Sequence, residues 1–405
     1  TGWYTLSLHD ALPILWIGTE NNGLCNTPVI PKGFITLRQK PNRHNSLNDN
    51  IVRCIYDDPA LPPNLLWVGT TTGGLNLFNR DKESFTAYRH NPNDKNSLSN
   101  NTVNAVLRDS HNVLWIGTAE GLNRFDHANG KFYTYSHFER NSNGNNSQSI
   151  INTLYEDKQG NLWLGTETEG LVLYNRQNHS VTAFKPIEGD STSISSASVR
   201  AILEDSYGTL WVGTLNELNI FDRNTKKFTV LKYIPNDTTT IKSECIMSIL
   251  EDSSGKIWIG TTEGFNLYNR EQNTLRRFSG RHGLPNNTVY GIVEDNSGNL
   301  WLSTNLGISK FNTNTFTFRN YDVSDGIQGN EFNYGAYQKS STGELYFGGT
   351  NGFTLFNPED ITNNPYCPPV MFTELMLFNQ PVMPGVPVNG KMILTNTIDE
   401  TPEIV

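Results

Sequence analysis

The stretch TVNAVLRDSHNVLWIGTAEGLNRFDHANGKFYTYS, residues 102–136, decides the fold. It holds four short β-rich runs, TVNAVLRD (102–109), LWIGT (114–118), GLNRFD (121–126) and KFYTYS (131–136), each set off from the next by turn-forming residues. Runs of this length and spacing predict one antiparallel four-stranded sheet, with strands A to D in chain order. The unit recurs as SVRAILED, LWVGT, ELNIFD and KFTVLK over 198–232, and as ECIMSILED, IWIGT, GFNLYN and TLRRFS over 244–279.

Strand B marks the period. Near-copies of LWIGT stand at 15–19, 66–70, 114–118, 162–166, 210–214, 257–261 and 300–304, and LYFGGT follows at 345–350. From Trp16 the steps to Trp67, Trp115, Trp163, Trp211, Trp258, Trp301 and Tyr346 are 51, 48, 48, 48, 47, 43 and 45 residues, the mark of a repeat architecture. Within LWIGT the Trp and the Gly two residues on share one face, and the flanking aliphatic residues share the other. Both faces are apolar, which a sheet tolerates only when it is covered on both sides. Sheets stacked face to face around an axis meet that demand, so the chain is expected to be an all-β propeller of four-stranded blades. Burying one indole of about 200 Å² is worth roughly 5 kcal/mol before entropy. Trp67, Trp115, Trp163, Trp211, Trp258, Trp301 and Tyr346 are therefore expected to be blade core rather than ligand platforms.

Complete A-B-C units begin at 51, 102, 150, 198, 244, 288 and 333, which gives seven blades. The last unit runs into PYCPPV without a D strand, whereas GFITLRQ (33–39) is a D strand with no blade of its own. Pairing of that segment with strand C near Gly352 to Asn357 would close a ring over residues 33–363. Residues 15–32 then read as the remnant of a preceding propeller blade, the alternative being a partial eighth blade. Residues 1–14 fit no repeat and, with LSLHDALPI resembling translated sequencing-adapter read-through, read as a non-native leader. From 364 to 405 the pattern turns to alternating strands punctuated by Pro, the start of a second β domain that is cut off.

The A–B turns DKQG (157–160), DSYG (205–208), DSSG (252–255) and DNSG (295–298) pair an Asp that accepts backbone N–H bonds with a Gly that supplies positive φ. A calcium loop needs further oxygen ligands at alternating positions, which these turns lack. No CxxC, HExxH, GxSxG or P-loop occurs, so no metal, cofactor or catalytic residue is expected. A sialidase would need an arginine cluster with a Tyr–Glu pair, and a lyase of the streptogramin-cleaving kind a His–Glu metal site; neither set can be assigned. A net charge of -9 without a basic run argues against nucleic acid. No stretch of 18 apolar residues is present, so the chain has no membrane span of its own.

The run DxxGxLWIGTxxGLxxF, the Asn-rich links such as RHNPNDKNSLSNNTV (89–103), and the ending DGIQGNEFNYGAY…GELYFGGTNGFTLFNPEDI…PPVMFTELMLFN together resemble the two-component regulator propeller repeats of Bacteroidetes hybrid two-component sensors. The likeness covers about residues 15–405. It implies a periplasmic location, in the extracytoplasmic part of an inner-membrane protein. It also implies a preceding propeller, and a following triple-tyrosine β-sandwich of which residues 364–405 are the first strands. It implies, further on, a membrane helix and a histidine kinase, and a longer protein able to dimerise. The fragment itself would be a sensor without catalytic activity that recognises an oligosaccharide.

A ligand is expected on the face where the D–A links and B–C turns emerge, since loops on one face of a repeat array carry function. One position in strand A varies between copies, reading Arg53, Asn104, Asn152, Arg200, Met247 and Tyr290 after a fixed Val or Ile. These side chains are expected to ring the channel mouth, where polar, amide and aromatic groups suit a sugar. The B–C turns add Glu120, Glu169, Glu217 and Glu263. The alternatives to a glycan sensor are a propeller enzyme and a protein-interaction platform.

Overall fold

A computed structural model describes residues 33–135, 150–241 and 243–361 continuously, and beyond them the strands Ile14–Thr19, Gly23–Pro28, Glu139–Arg140 and Asn146–Ser147 and residues 376–377, 380–388 and 390–394. Two compact units result, Lys32–Ile361 and a second made of Thr1–Pro31 with Thr362–Val405.

The larger unit is a seven-bladed β-propeller. Among the described residues each blade is a four-stranded antiparallel sheet, and its inner strands A are Val52–Tyr56, Val103–Arg108, Ile151–Glu156, Val199–Glu204, Ile246–Glu251, Val289–Glu294 and Phe332–Lys339. In blades one to six the strands follow as a meander. Blade seven takes its outer strand from the start of the chain: Ile35–Leu37 pairs with Gly352–Phe356, Ile35 opposite Leu355 and Leu37 opposite Phe353. Each inner strand touches that of the next blade, and the inner strand of blade seven touches that of blade one. The ring is thereby closed, with no place for an eighth blade between them.

In the second unit Ile14–Thr19 and Gly23–Pro28 form an antiparallel hairpin, and Met376–Leu377 pairs with Gln380–Pro381 and Pro387–Val388 with Lys391–Met392. The leader expected over 1–14 lies outside the described residues except for Ile14, as does most of the sandwich start expected over 364–405.

The seven strand-B aromatics are at most 3% exposed, Trp67, Trp211, Trp258 and Trp301 at 0%. They sit between sheets: Trp67 packs edge-on against Phe125 of the next blade, Trp163 against Phe221 and Trp258 against Phe311. Close stacking explains the Gly of LWIGT. A Cβ on Gly117 or Gly213 would lie 2.6 Å from Cγ2 of Ile151 or Ile246 in the following blade. Blade six carries Ser303 at this place and compensates with Gly291 directly opposite, over which the Tyr337 ring closes so tightly that a Cβ would meet it at 2.2 Å.

The A–B turn Asp does more than make a turn. Asp205 accepts the N–H groups of Tyr207 and Thr209 at 3.0 and 2.9 Å through one oxygen, and the Trp211 indole N–H at 2.7 Å through the other. Asp58, Asp109, Asp157, Asp252 and Asp295 hold Trp67, Trp115, Trp163, Trp258 and Trp301 in the same way. A guanidinium from the next blade completes four of these latches, Arg108 on Asp58, Arg176 on Asp109, Arg223 on Asp157 and Arg270 on Asp205. Blade seven keeps the device with other residues: Tyr346 donates to Glu344 at 3.1 Å, and Arg80 of blade one pairs with Glu344.

Candidate functional site

The varied position of strand A is a β-bulge. In blade two Val103 faces Thr118 and Ala105 faces Gly117, so Asn104 has no partner in the ladder. The same shift isolates Arg53, Asn152, Arg200, Met247 and Tyr290. A bulge re-aims one side chain while the strand on either side keeps its register. That is why this position is free to vary after a fixed Val or Ile.

Blade seven enlarges the bulge. Phe332 faces Gly349 and the next partners are Tyr337 and Phe347, so Asn333, Tyr334, Gly335 and Ala336 all leave the ladder. Gly335 makes the loop possible: its φ is 76°, and a Cβ there would stand 3.2 Å from the Arg53 carbonyl oxygen.

These bulges meet one another. The Asn104 amide donates to the Ile151 carbonyl at 2.9 Å, Asn152 to the Val199 carbonyl at 3.2 Å, and Asn333 to the Val52 carbonyl at 2.8 Å. Each ties its bulge to the carbonyl just before the bulge of the next blade, so the amide nitrogens of Asn104 and Asn152 are engaged in the ring itself. Arg53 donates to the Asn104 amide oxygen at 3.3 Å and lies 5.3 Å from the Tyr334 ring centroid. From blade four Arg200 reaches the same tyrosine, its guanidinium 4.5 Å from the ring centroid and donating to the hydroxyl. Arg200 also pairs with Glu167 at 3.1 Å, and Glu167 accepts from Asn152 at 2.8 Å and Ser198 at 3.0 Å.

The structure therefore brings Arg53, Asn104, Asn152 and Arg200 into one network. Tyr290 is instead half-buried against the core of blades six and seven. The turn carboxylates are spread out: Glu169 is buried and pairs with Lys185, Glu120 is half-buried, and Glu263 is exposed. Tyr334 and Glu167 were not picked out from sequence. The residues between Phe332 and Tyr337 that fit no other blade were the available signal for the first.

One trio elsewhere has the spacing of metal ligands, Asp109, His111 and Glu156, but a cation already occupies it. Arg176 places Nε 3.1 Å from Asp109, bonds Glu156 and lies 3.1 Å from the His111 ring nitrogen. It is a further inter-blade latch.

A closed ring of seven latched blades with a polar cluster at one mouth defines a propeller whose distinct chemistry sits on one rim. Residues 97–120, 144–168, 193–216, 240–263 and 283–306 match the two-component regulator propeller family. It is 28% identical to a protein described as the extracellular domain of a hybrid two-component system from B. thetaiotaomicron, with a TM-score of 0.74 over 92% of this chain and 49% of that one. The chain thus spans about half the length of that relative. Two further structures share the fold alone. PorZ of Porphyromonas gingivalis is 14% identical, with a TM-score of 0.59 over 85% of this chain and 55% of its own. An inactive virginiamycin B lyase from Staphylococcus aureus is 13% identical, with a TM-score of 0.57 over 80% and 99%. No curated protein is significantly similar.

Proposed function

We propose that the chain is the ligand-recognising, non-catalytic part of a periplasmic sensor, and that it takes an oligosaccharide at the channel mouth and signals through the following β-sandwich to a histidine kinase. The observation that carries this reading is the 28% identity over 92% of the chain to the extracellular domain of a hybrid two-component system. The bulge ring adds a place: it is where the blades depart from one another, and its guanidinium, amide, carboxylate and phenol groups match the hydroxyls and ring faces of a saccharide. On the same reading residues 15–32 end a preceding propeller, residues 364–405 open the sandwich, and any pairing of two copies runs through the longer protein. Among the described residues no helix is long and apolar enough to cross a membrane, so an anchor would be supplied from outside them.

Calorimetric titration of the purified chain against a panel of polysaccharide breakdown products tests this. Binding of one glycan class without turnover is expected. Glycan cleavage that disappears on a single substitution in the ring would overturn the non-catalytic reading.

A further inference from the structure

Arg53 and Arg200 belong to blades one and four, yet their guanidinium groups converge on the one phenol that the blade-seven bulge delivers. Neither can shed its charge, and bringing two cations together in a partly dry channel is unfavourable unless an anion lies between them. The anion there is insufficient. Glu167 pairs with Arg200 but is shared with Asn152 and Ser198, while the side chains that Arg53 meets, Asn104 and Tyr334, are neutral. Arg200 Nε is buried without a hydrogen-bond partner. The Tyr334 hydroxyl is a single neutral oxygen where a fork of N–H groups could grip two charged ones.

We propose that the oligosaccharide is acidic, and that its anionic group, a uronic acid carboxylate or a sulfate ester, sits between Arg53 and Arg200 at the place the Tyr334 hydroxyl holds. This rests on the channel mouth being the ligand site. The displaced phenol swings on the bulge around Gly335, and its ring offers a stacking face to the sugar. Blade seven thereby registers the ligand, and its strand Gly352–Phe356 leads directly to the end of the propeller.

The test is calorimetric titration of the whole chain with oligogalacturonate and oligoglucuronate, their neutral counterparts of equal length and linkage, and a sulfated galactan oligosaccharide. A charge-assisted pair of hydrogen bonds predicts that an acidic ligand binds roughly tenfold or more tighter than its neutral counterpart, and uronate against sulfate tells which anion is preferred. Arg53→Gln and Arg200→Gln are each expected to erase the preference, and Tyr334→Phe to tighten the acidic ligand by removing its competitor. Equal affinity for acidic and neutral sugars, or a preference that survives both arginine substitutions, overturns the inference and leaves the sensor reading intact. If no sugar binds, the Nε–Hε resonances of the two arginines under added sodium sulfate or acetate decide. Shifts at Arg53 and Arg200 keep the anion site while the oligosaccharide reading falls, and their absence overturns the site as well.

Discussion

The two rims of the propeller are built from opposite uses of the same repeat. On the A–B side every Trp blade carries the same Asp and the same indole bond, and an arginine from the next blade closes four of the latches. On the other side, the bulge position has Arg, Asn, Met or Tyr from blade to blade. Chemistry repeated at each step of a ring serves the ring, because each blade faces the same packing problem. Chemistry that changes at one geometrically constant position has been released from that problem. Blade seven shows both rules at once. Its latch substitutes Tyr346 and Glu344 together and so preserves the bond, whereas its bulge grows to four residues and delivers Tyr334.

The comparison breaks most severely if the latch rim tolerates change. Trp211→Ala is expected to cost about 4 kcal/mol, through the lost indole and the cavity left between blades four and five; urea unfolding measures it, and a loss below about 1 kcal/mol would deny the indole its structural role. Asp205→Ala strands the Trp211 indole and the Arg270 guanidinium together and should cost about 3 kcal/mol in the same assay.

Acid should act through the same groups. Burial alone would push the Asp205 carboxyl up, but Arg270, the Trp211 indole and the Thr209 N–H together hold it below the usual carboxylate range. Asp58, Asp157 and Asp252 are held low likewise against the cost of burial. Because the unfolded chain takes up the proton more readily, the stabilisation is fully present above about pH 4 and is lost as pH falls through the lowered folded values. Urea midpoints should therefore drop steeply below about pH 4, and less steeply in Asp205→Asn. A midpoint unchanged down to pH 3 would contradict the latch.

A smaller effect of opposite sign sharpens the picture of the B–C turns. Gly74, Gly121, Gly170, Gly264, Gly307 and Gly352 all have positive φ, and blade four places Glu217 there at 78°. Its carboxyl is pushed up chiefly by burial. Glu217→Gly should stabilise by about 1 kcal/mol, seen as a small rise in Tm. Least of all, Tyr334→Phe should change stability by less than about 1 kcal/mol, since the aromatic ring stays in place and a single hydroxyl is lost.

Much of this was legible in the chain. The tryptophan period determined the blades, and the unmatched GFITLRQ foretold the closing strand, which pairs with Phe353–Leu355 inside the expected span. The bulge residues stood out because each follows a Val or Ile that does not change in kind. Two things were hidden. The turn Asp reads locally as a turn former, and its bond to an indole six residues on, nine in blade one, needs the hairpin to fold back before the atoms meet. Tyr334, the phenol that Arg53 and Arg200 share, lies 281 and 134 residues away on blade seven, a separation in sequence that no local pattern encodes.

Hydrogen exchange measured with and without a digest of acidic polysaccharide tests the division of labour between the rims most directly. The account predicts added protection in the bulge segments 52–56, 198–204 and 332–339 and none in the A–B turns. Protection confined to the turns at 157–160, 205–208 and 252–255 would contradict it.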